Sequence, residues 1–467
     1  MLQNFLKKAF YNSPAWIKKI YGAFPYRLKF GSTYFNELEV INQSYQWNQQ
    51  EQDEYIARSL ISLINYAYDN IEFYRNLYNK HGVNINQIQN ISDFENLPTI
   101  NKQMLRDSGD AAVSSKANSL NSIRANTGGS SGEPFSFLLP KNHYYRAWAY
   151  KGDMWGRAGY EVGDPVLSLR GHQFEDALFQ HQPIYNFYYV DSYRLNDNNI
   201  NQLIELITRE DIRYIHGYPS NIVRFIGLLQ DPSALSIEGV LPCSEKVDPQ
   251  SKEIIINAFG AKIQPSYEQS EMTILASYGE KSDKYYFYPT YGYPELVTSE
   301  NQAIDSNNVK GKLIGTTFSN KIMPLIRYET GDEAIWTEGD EKKLQNFKCA
   351  KEIVGRVGEY IETDEEKISV TGLIYGQHLP IFDISNQVQL YQRDNSILLL
   401  YVLNEAVKNE QVLNKTKKQL FEALDGKFYI RLLAIDKPFK TESGKKKILL
   451  GEQHQPAIEQ LLERSEK

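Results

Sequence analysis

Apolar residues recur at helical spacing between positions 51 and 80, where Ile56, Leu60, Leu63, Ile64, Ala67, Tyr68 and Ile71 line one face. Residues 93–106 then read as short turns and helices around Pro98. Beyond a glycine-rich loop, strand-like and helix-like segments alternate. Val166-Leu167-Ser168-Leu169 predicts a strand, 199–208 a helix, Tyr214-Ile215-His216 a strand and 221–229 a further helix. That alternation predicts an α/β domain with largely parallel sheets. Past Gly355-Arg356-Val357-Gly358 the texture changes to a strand at 397–403, a helix at 408–424, a strand at 428–435 and a basic loop at 440–447. These make a small α+β unit of about a hundred residues. The expected division is an arm, 1–49, a large domain, 50–356, and a small mobile domain, 357–467.

A chain of 467 residues suits this plan of one large and one small domain. Hydrophobic residues at 41% and charged residues at 23% are enough for a full core. A formal charge of −7 argues against a nucleic-acid binder, which is usually basic. The two cysteines, Cys243 and Cys349, are far apart and outside any CxxC or Cys/His cluster. Neither a disulfide framework nor a zinc site is indicated, and a cytoplasmic location is expected. No window is apolar enough to span a bilayer, and the N-terminus lacks the pattern of a signal peptide. Residues 1–36 carry Lys7, Lys8, Lys18, Lys19, Arg27 and Lys29 among aromatic residues, with no acid before Glu37. Such a stretch suits either peripheral contact with an anionic membrane or an arm packed on its own domain.

The candidate chemistry begins at Asn126-Thr127-Gly128-Gly129-Ser130-Ser131-Gly132-Glu133-Pro134. Glycines let backbone N–H groups converge on an anion, and hydroxyls add donors, so Thr127, Gly128, Gly129, Ser130, Ser131 and Gly132 suit a pyrophosphate. A Walker loop would end in Gly-Lys-Ser/Thr, whereas Gly132 is followed by Glu133-Pro134. The spelling also fits a hydrolase nucleophile elbow at Ser130, but that motif needs a helix after it. Here Phe135-Ser136-Phe137-Leu138-Leu139-Pro140 predicts a strand. A plain flexible turn is the remaining alternative.

The loop resembles the phosphate-binding signature of the ANL adenylate-forming superfamily. The likeness is nearest to its phenylacetate–CoA ligase branch and to relatives encoded with capsular-polysaccharide genes. Leu97-Pro98 with Lys102, His216-Gly217-Tyr218-Pro219-Ser220 and Ser244-Glu245-Lys246 resemble landmarks of that branch. Tyr267-Glu268-Gln269-Ser270-Glu271 resembles the family's Tyr-Gly-x-Thr-Glu segment. The resemblance implies that Tyr267 packs on adenine and that Glu271 is catalytic and ligates Mg²⁺, chemistry open to an aromatic ring and a carboxylate. The family's glycine is Glu268 here, a departure beside the expected acyl pocket. Pro324-Leu325-Ile326-Arg327-Tyr328-Glu329-Thr330-Gly331-Asp332 is the longest match. It predicts a strand whose last residue, Asp332, accepts hydrogen bonds from both ribose hydroxyls, with Arg327 open to a purely structural role. Gly355-Arg356 resembles the domain junction, where Arg356 would reach ribose or phosphate and Gly358 would be the hinge. Thr441-Glu442-Ser443-Gly444-Lys445 resembles the loop of the catalytic lysine, here Lys445.

This resemblance implies an α/β fold, with ATP, Mg²⁺ and coenzyme A as cofactors and a small-molecule carboxylic acid as substrate. The acid would form an acyl-AMP and then a thioester. Ser244 and Glu245 join the cofactor-binding set. Two other outcomes are compatible with the same resemblance: an amide ligase acting on a sugar or carrier, and a degenerate scaffold protein of a glycan-assembly complex.

Overall fold

The computed structural model describes residues 26–126, 136–170, 174, 177–192, 195–243, 247–354, 360–362, 367–370, 373–374, 379–403, 409–424, 426–439 and 448–465. It opens with helices α1 (Tyr26–Ser44), α2 (Gln49–Asn70), α3 (Glu72–Lys80), α4 (Ile91–Phe94) and α5 (Lys102–Ser108). A capping box starts α2: Asn48 Oδ1 accepts from the Glu51 N–H, and the Glu51 carboxylate accepts from the Asn48 N–H. Its apolar face, Ile56, Leu60, Leu63, Ile64 and Ala67, is buried as the spacing predicts. α1 packs on α6 (His143–Gly156): Tyr34 and Ile41 share a core with Trp148 and Tyr150, and Glu37 pairs with Arg146 at 3.0 Å. That end of the basic arm therefore packs on its own domain, while residues 1–25 lie outside the described residues.

Strands β1 (Ser122–Asn126) and β2 (Ser136–Pro140) form an antiparallel pair. A six-stranded sheet comes next, from β3 (Val166–Leu169), β4 (Phe179–Gln182), β5 (Phe187–Val190), β6 (Tyr214–Gly217), β7 (Gly239–Pro242) and β8 (Lys262–Ile263). Its order is β4-β5-β3-β6-β7-β8, parallel apart from β4. Helices α7 (Ile200–Arg209), α8 (Pro219–Gly227) and α9 (Pro249–Phe259) bury Leu203, Phe225 and Ile255 against Leu167, Ile215 and Val240 of the strands.

The expected α/β architecture with parallel strands is present, joined by a second sheet that the sequence did not announce. Its strands are β9 (Ser266–Glu268), β10 (Leu275–Tyr278), β11 (Tyr285–Phe287), β12 (Gly292–Val297), β13 (Lys310–Thr317), β14 (Tyr328–Trp336) and β15 (Cys349–Val354). All pairs along the order β12-β13-β14-β15-β11-β10-β9 are antiparallel. Every residue of β12 is buried, so alternation between polar and apolar positions is lost.

After β16 (Tyr360–Glu362) and β17 (Lys367–Ser369), the chain builds β18 (Ser385–Arg393), β19 (Ser396–Leu403), α10 (Glu410–Ala423), β20 (Tyr429–Ala434), β21 (Leu449–Leu450) and α11 (Gln455–Ser465). The sheet β20-β19-β18-β21 buries Leu390, Leu399 and Ile430 with Leu420 of α10 in a core of its own. Residues 440–447, the basic loop, lie outside the described residues. Among the described residues no helix is long and apolar enough to cross a membrane. Both cysteines are buried thiols, and burial pushes the Cys349 thiol up to about 12.

Candidate active site

Glu271 is only 1% exposed. Its Oε1 lies 3.1 Å from the Lys102 ammonium at the start of α5 and accepts a hydrogen bond of 3.0 Å from the Tyr328 hydroxyl. Burying a carboxylate costs free energy unless it is paired and hydrogen-bonded, and here it has both kinds of partner. The turn that carries it leaves β9 and closes with the Met272 N–H on the Gln269 carbonyl at 3.0 Å. Two glycines let it settle on the antiparallel sheet. A Cβ at Gly292 would come within 1.9 Å of the Thr273 carbonyl oxygen, and one at Gly315 within 2.6 Å of Thr273 Oγ1.

Tyr328 shares a core with Leu97, Leu105, Phe137 and Leu139, and Met272 packs against that core. Phe137 and Leu139 belong to β2, and Asn320 Nδ2 donates to the Leu138 carbonyl at 2.9 Å. The strands bracketing the glycine loop are thus built into the core that holds Glu271. Residues 127–135, with Thr127, Gly128, Gly129, Ser130, Ser131 and Gly132, lie outside the described residues. The register runs from Asn126↔Ser136 to Ser122↔Pro140, so a strand succeeds the loop, as expected. A nucleophile elbow requires a helix at that point, and the hydrolase reading of Ser130 loses its framework.

Asp332 is not the last residue of a strand, as the sequence suggested; it stands fifth of nine in β14. The physical reason is a bulge. Lys312↔Glu333 and Ile314↔Glu329 are successive pairings, so β14 carries extra residues there, and Gly331 takes φ +80° within them. Such bulges re-aim a side chain without ending the strand. The Asp332 carboxylate is 7% exposed and accepts from the Tyr267 hydroxyl at 2.5 Å. Gln269 Nε2 donates to that hydroxyl at 2.6 Å. Burial first, and then the Asp332 charge, hold the Tyr267 hydroxyl well above its ordinary range, so it stays a donor. The Tyr267 ring packs edge-on to Phe287, with centroids 6.3 Å apart.

Tyr267 and Asp332 therefore meet, and Glu271 follows on the turn after β9 against Tyr328 of the strand that carries Asp332; Ser244, Glu245, Arg356 and Lys445 lie outside the described residues. Sequence reasoning assigned no role to Lys102 or Tyr328, the two groups that fix Glu271. The signals were present, since Lys102 lies in the Leu97-Pro98 landmark and Tyr328 in the longest motif. Arg327 proves to be buried structure, with Nη2 2.8 Å from Glu295. His216 is buried too, its Nδ1–H donating to the Leu241 carbonyl at 2.7 Å and its ring 4.9 Å from that of Trp155. A cleft of about 740 Å³ lined by Gln52, Tyr293, Trp336 and Lys348 contains none of the candidate residues.

A single buried carboxylate is compatible with Mg²⁺, which takes one or two protein carboxylates and fills the rest of its shell from other oxygens. Clusters of three or more His, Cys, Asp or Glu able to hold a metal unaided do not occur among the described residues.

No family model matches the sequence, and no curated protein does. Solved structures do match in fold. A 2-hydroxyisobutyryl-CoA ligase in its postadenylation state, in complex with R3-HIB-AMP, gives a TM-score of 0.62 at 16% identity, covering 88% of this chain and 92% of that one. The same enzyme with 2-HIB-AMP and CoA in the thioesterification state gives 0.56 at 18% identity, over 89% and 93%. An acyl acid amido synthetase in complex with 2,4-DB gives 0.51 at 13% identity, over 89% and 96%. The α/β fold of these adenylate-forming enzymes, with its large N-terminal and smaller C-terminal part, is the fold of this chain.

Proposed function

We propose that this chain adenylates a carboxylic acid with Mg·ATP and then transfers the acyl group to coenzyme A. The observation that carries the reading is the meeting of buried Glu271, its anchors Lys102 and Tyr328, and the strand pair bracketing the glycine loop. The fold shared with a ligase caught with an acyl-AMP and CoA supports it.

Glu271 would hold Mg²⁺, and the bound ion supplies neutralising charge to the phosphates. Thr127 to Gly132 would grip the pyrophosphate with backbone N–H groups and hydroxyls. Asp332, kept in place by Tyr267, would accept the ribose hydroxyls, and the Tyr267 ring would face the base. Ser244, Glu245 and Arg356 complete the nucleotide set, and Lys445 would offset the charge that builds on the α-phosphate. A carboxylate oxygen of the acid attacks the α-phosphorus, the bond to the bridging oxygen breaks and pyrophosphate leaves. The small domain, 357–467, then turns about Gly358, and the coenzyme A thiolate displaces AMP. Kinship with the phenylacetate–CoA ligase branch and work in surface-polysaccharide assembly belong to the same proposal.

ATP–pyrophosphate exchange across aryl, fatty, amino and sugar acids tests the reaction; a protein that neither exchanges nor binds Mg·ATP by calorimetry would be a scaffold instead. Lys445→Ala should lose exchange while still forming thioester from supplied acyl-AMP, and survival of exchange would overturn that lysine's role. Asp332→Asn should raise the KM for ATP about tenfold or more, because a hydrogen bond to a charged group contributes about 1.5–3 kcal/mol. An unchanged KM removes Asp332 from the nucleotide site.

A further inference from the structure

In open α/β sheets, ligands sit in the crevice beyond the carboxyl ends of the strands. Here β3, β6 and β7 are adjacent and end level, with Leu169 beside Gly217 and Gly217 beside Pro242. The next residue on each strand is Arg170, Tyr218 and Cys243, so these three stand in a row along the edge. Arg170 lies within the field of Tyr218, of Cys243 and of Glu268, which comes from β9 of the other sheet. Strand alternation turns Glu268 away from the side on which Tyr267 meets Asp332.

The charges of the described residues in this row do not balance. Glu268 Oε2 lies 3.3 Å from the Lys151 ammonium, and its Oε1 accepts from Ser266 Oγ at 2.9 Å. Lys151 itself rests over the Trp155 ring, 5.5 Å from the centroid. Burial works to raise the Glu268 carboxyl, but Lys151 and Ser266 outweigh it and hold it below its ordinary value. Among the described residues one anion is thus answered by one cation, and the exposed Arg170 adds a second positive charge. An alkyl or plain aryl tail laid against this row would strip water from charged groups and return nothing. A carboxylate would meet a planar fork of donors.

We infer that the acid adenylated by this chain carries a second carboxylate, read by Arg170 at the rim of the parallel sheet. The inference rests on the ligase reading proposed for this chain. Its test is exchange with matched pairs, hexanoate against hexanedioate and phenylacetate against 4-carboxyphenylacetate. Wild type should favour each diacid about 10²-fold or more in kcat/KM, since sites built for a polar group discriminate strongly against its absence. Arg170→Met should collapse the ratio through the KM of the diacid, and Arg170→Lys should keep part of it. Glu268→Gln should raise the ratio by removing the like charge, a gain that damage to the fold cannot imitate. Exchange with the monoacids alone, or a ratio unmoved by Arg170→Met, overturns the inference and leaves the ligase standing. Exchange with no acid, together with no calorimetric binding of Mg·ATP, overturns the ligase reading and the inference with it.

Discussion

Glu271→Gln should lower ATP–pyrophosphate exchange by about 10²–10³-fold, the cost of removing one fixed electrostatic contact from a water-excluded site, roughly 2.7–4 kcal/mol. The amide keeps the shape of the side chain and can still accept from the Tyr328 hydroxyl. What it loses is the charge facing Lys102 and, on the proposed reading, Mg²⁺. Removing one partner from a fully buried ion pair costs about 3–5 kcal/mol of stability. Lys102 escapes much of that, because its side chain keeps 18% exposure and can turn toward water. The expectation is therefore a large fall in rate with a small fall in the urea midpoint. The Mg²⁺ concentration for half-maximal exchange should also rise. An E271Q protein with wild-type exchange would remove the carboxylate from the chemistry.

Arg327→Met should have the opposite profile, costing about 3–5 kcal/mol of stability for loss of a buried charge partner. Arg327 and Glu295 are each 2% exposed, with Nε 3.0 Å from Oε1 and Nη2 2.8 Å from the same atom. Nη1 also donates to the Leu97 carbonyl, and the Arg327 N–H to Thr316 Oγ1 at 2.8 Å. These contacts hold a non-glycine residue at φ +50°, a conformation that costs an L-residue about 1–2 kcal/mol. They also sew the helical N-terminal part to the antiparallel sheet, since Ile100 N–H donates to the Arg327 carbonyl at 3.0 Å.

Burial raises the Glu295 carboxyl and Arg327 pulls it back, leaving it pushed up to about 7 against an ordinary 4.5. Without Arg327, burial and the Glu95 charge raise it further against Lys348 alone, so the folded variant retains a proton that the unfolded chain releases. A folded state that binds more protons loses stability as pH rises. The R327M penalty should therefore be smaller at pH 5 than at pH 8, growing by up to about 1.4 kcal/mol per unit above about 7, where the wild-type carboxyl ionises and that of the variant does not. Urea unfolding at the two pH values measures it, and a penalty independent of pH would mean that losing Arg327 leaves the protonation of Glu295 unchanged.

How much of this was legible in the sequence depends on how far apart the partners lie. The faces of α2 and α7 and the apolar runs of β3 and β6 could be read because their signal is local periodicity. The seven-stranded sheet hid because β12 is buried on both faces and β9 and β11 have three residues each. The Asp332 error has the same root. A bulge is set by pairing with β13, and Gly331 was its one local mark. Within the candidate site, motif resemblance supplied Tyr267, Glu271 and Asp332. It could not supply Lys102 and Tyr328, because contact between residues so distant in sequence is a property of the packed core. Likewise, the row of Arg170, Tyr218 and Cys243 exists only once three strands lie side by side.

The burial of Cys243 and Cys349 makes the chain a ready substrate for fluorescence work. A maleimide dye reacts with thiolate, and a thiol raised to about 12 offers almost none at neutral pH. Cysteines introduced at Leu120, 85% exposed beside the strand pair of the glycine loop, and at Tyr429, 66% exposed on β20, would then carry donor and acceptor almost without background. Energy transfer between them would test, one molecule at a time, whether the small unit turns as proposed when Mg·ATP, an acid and coenzyme A are added.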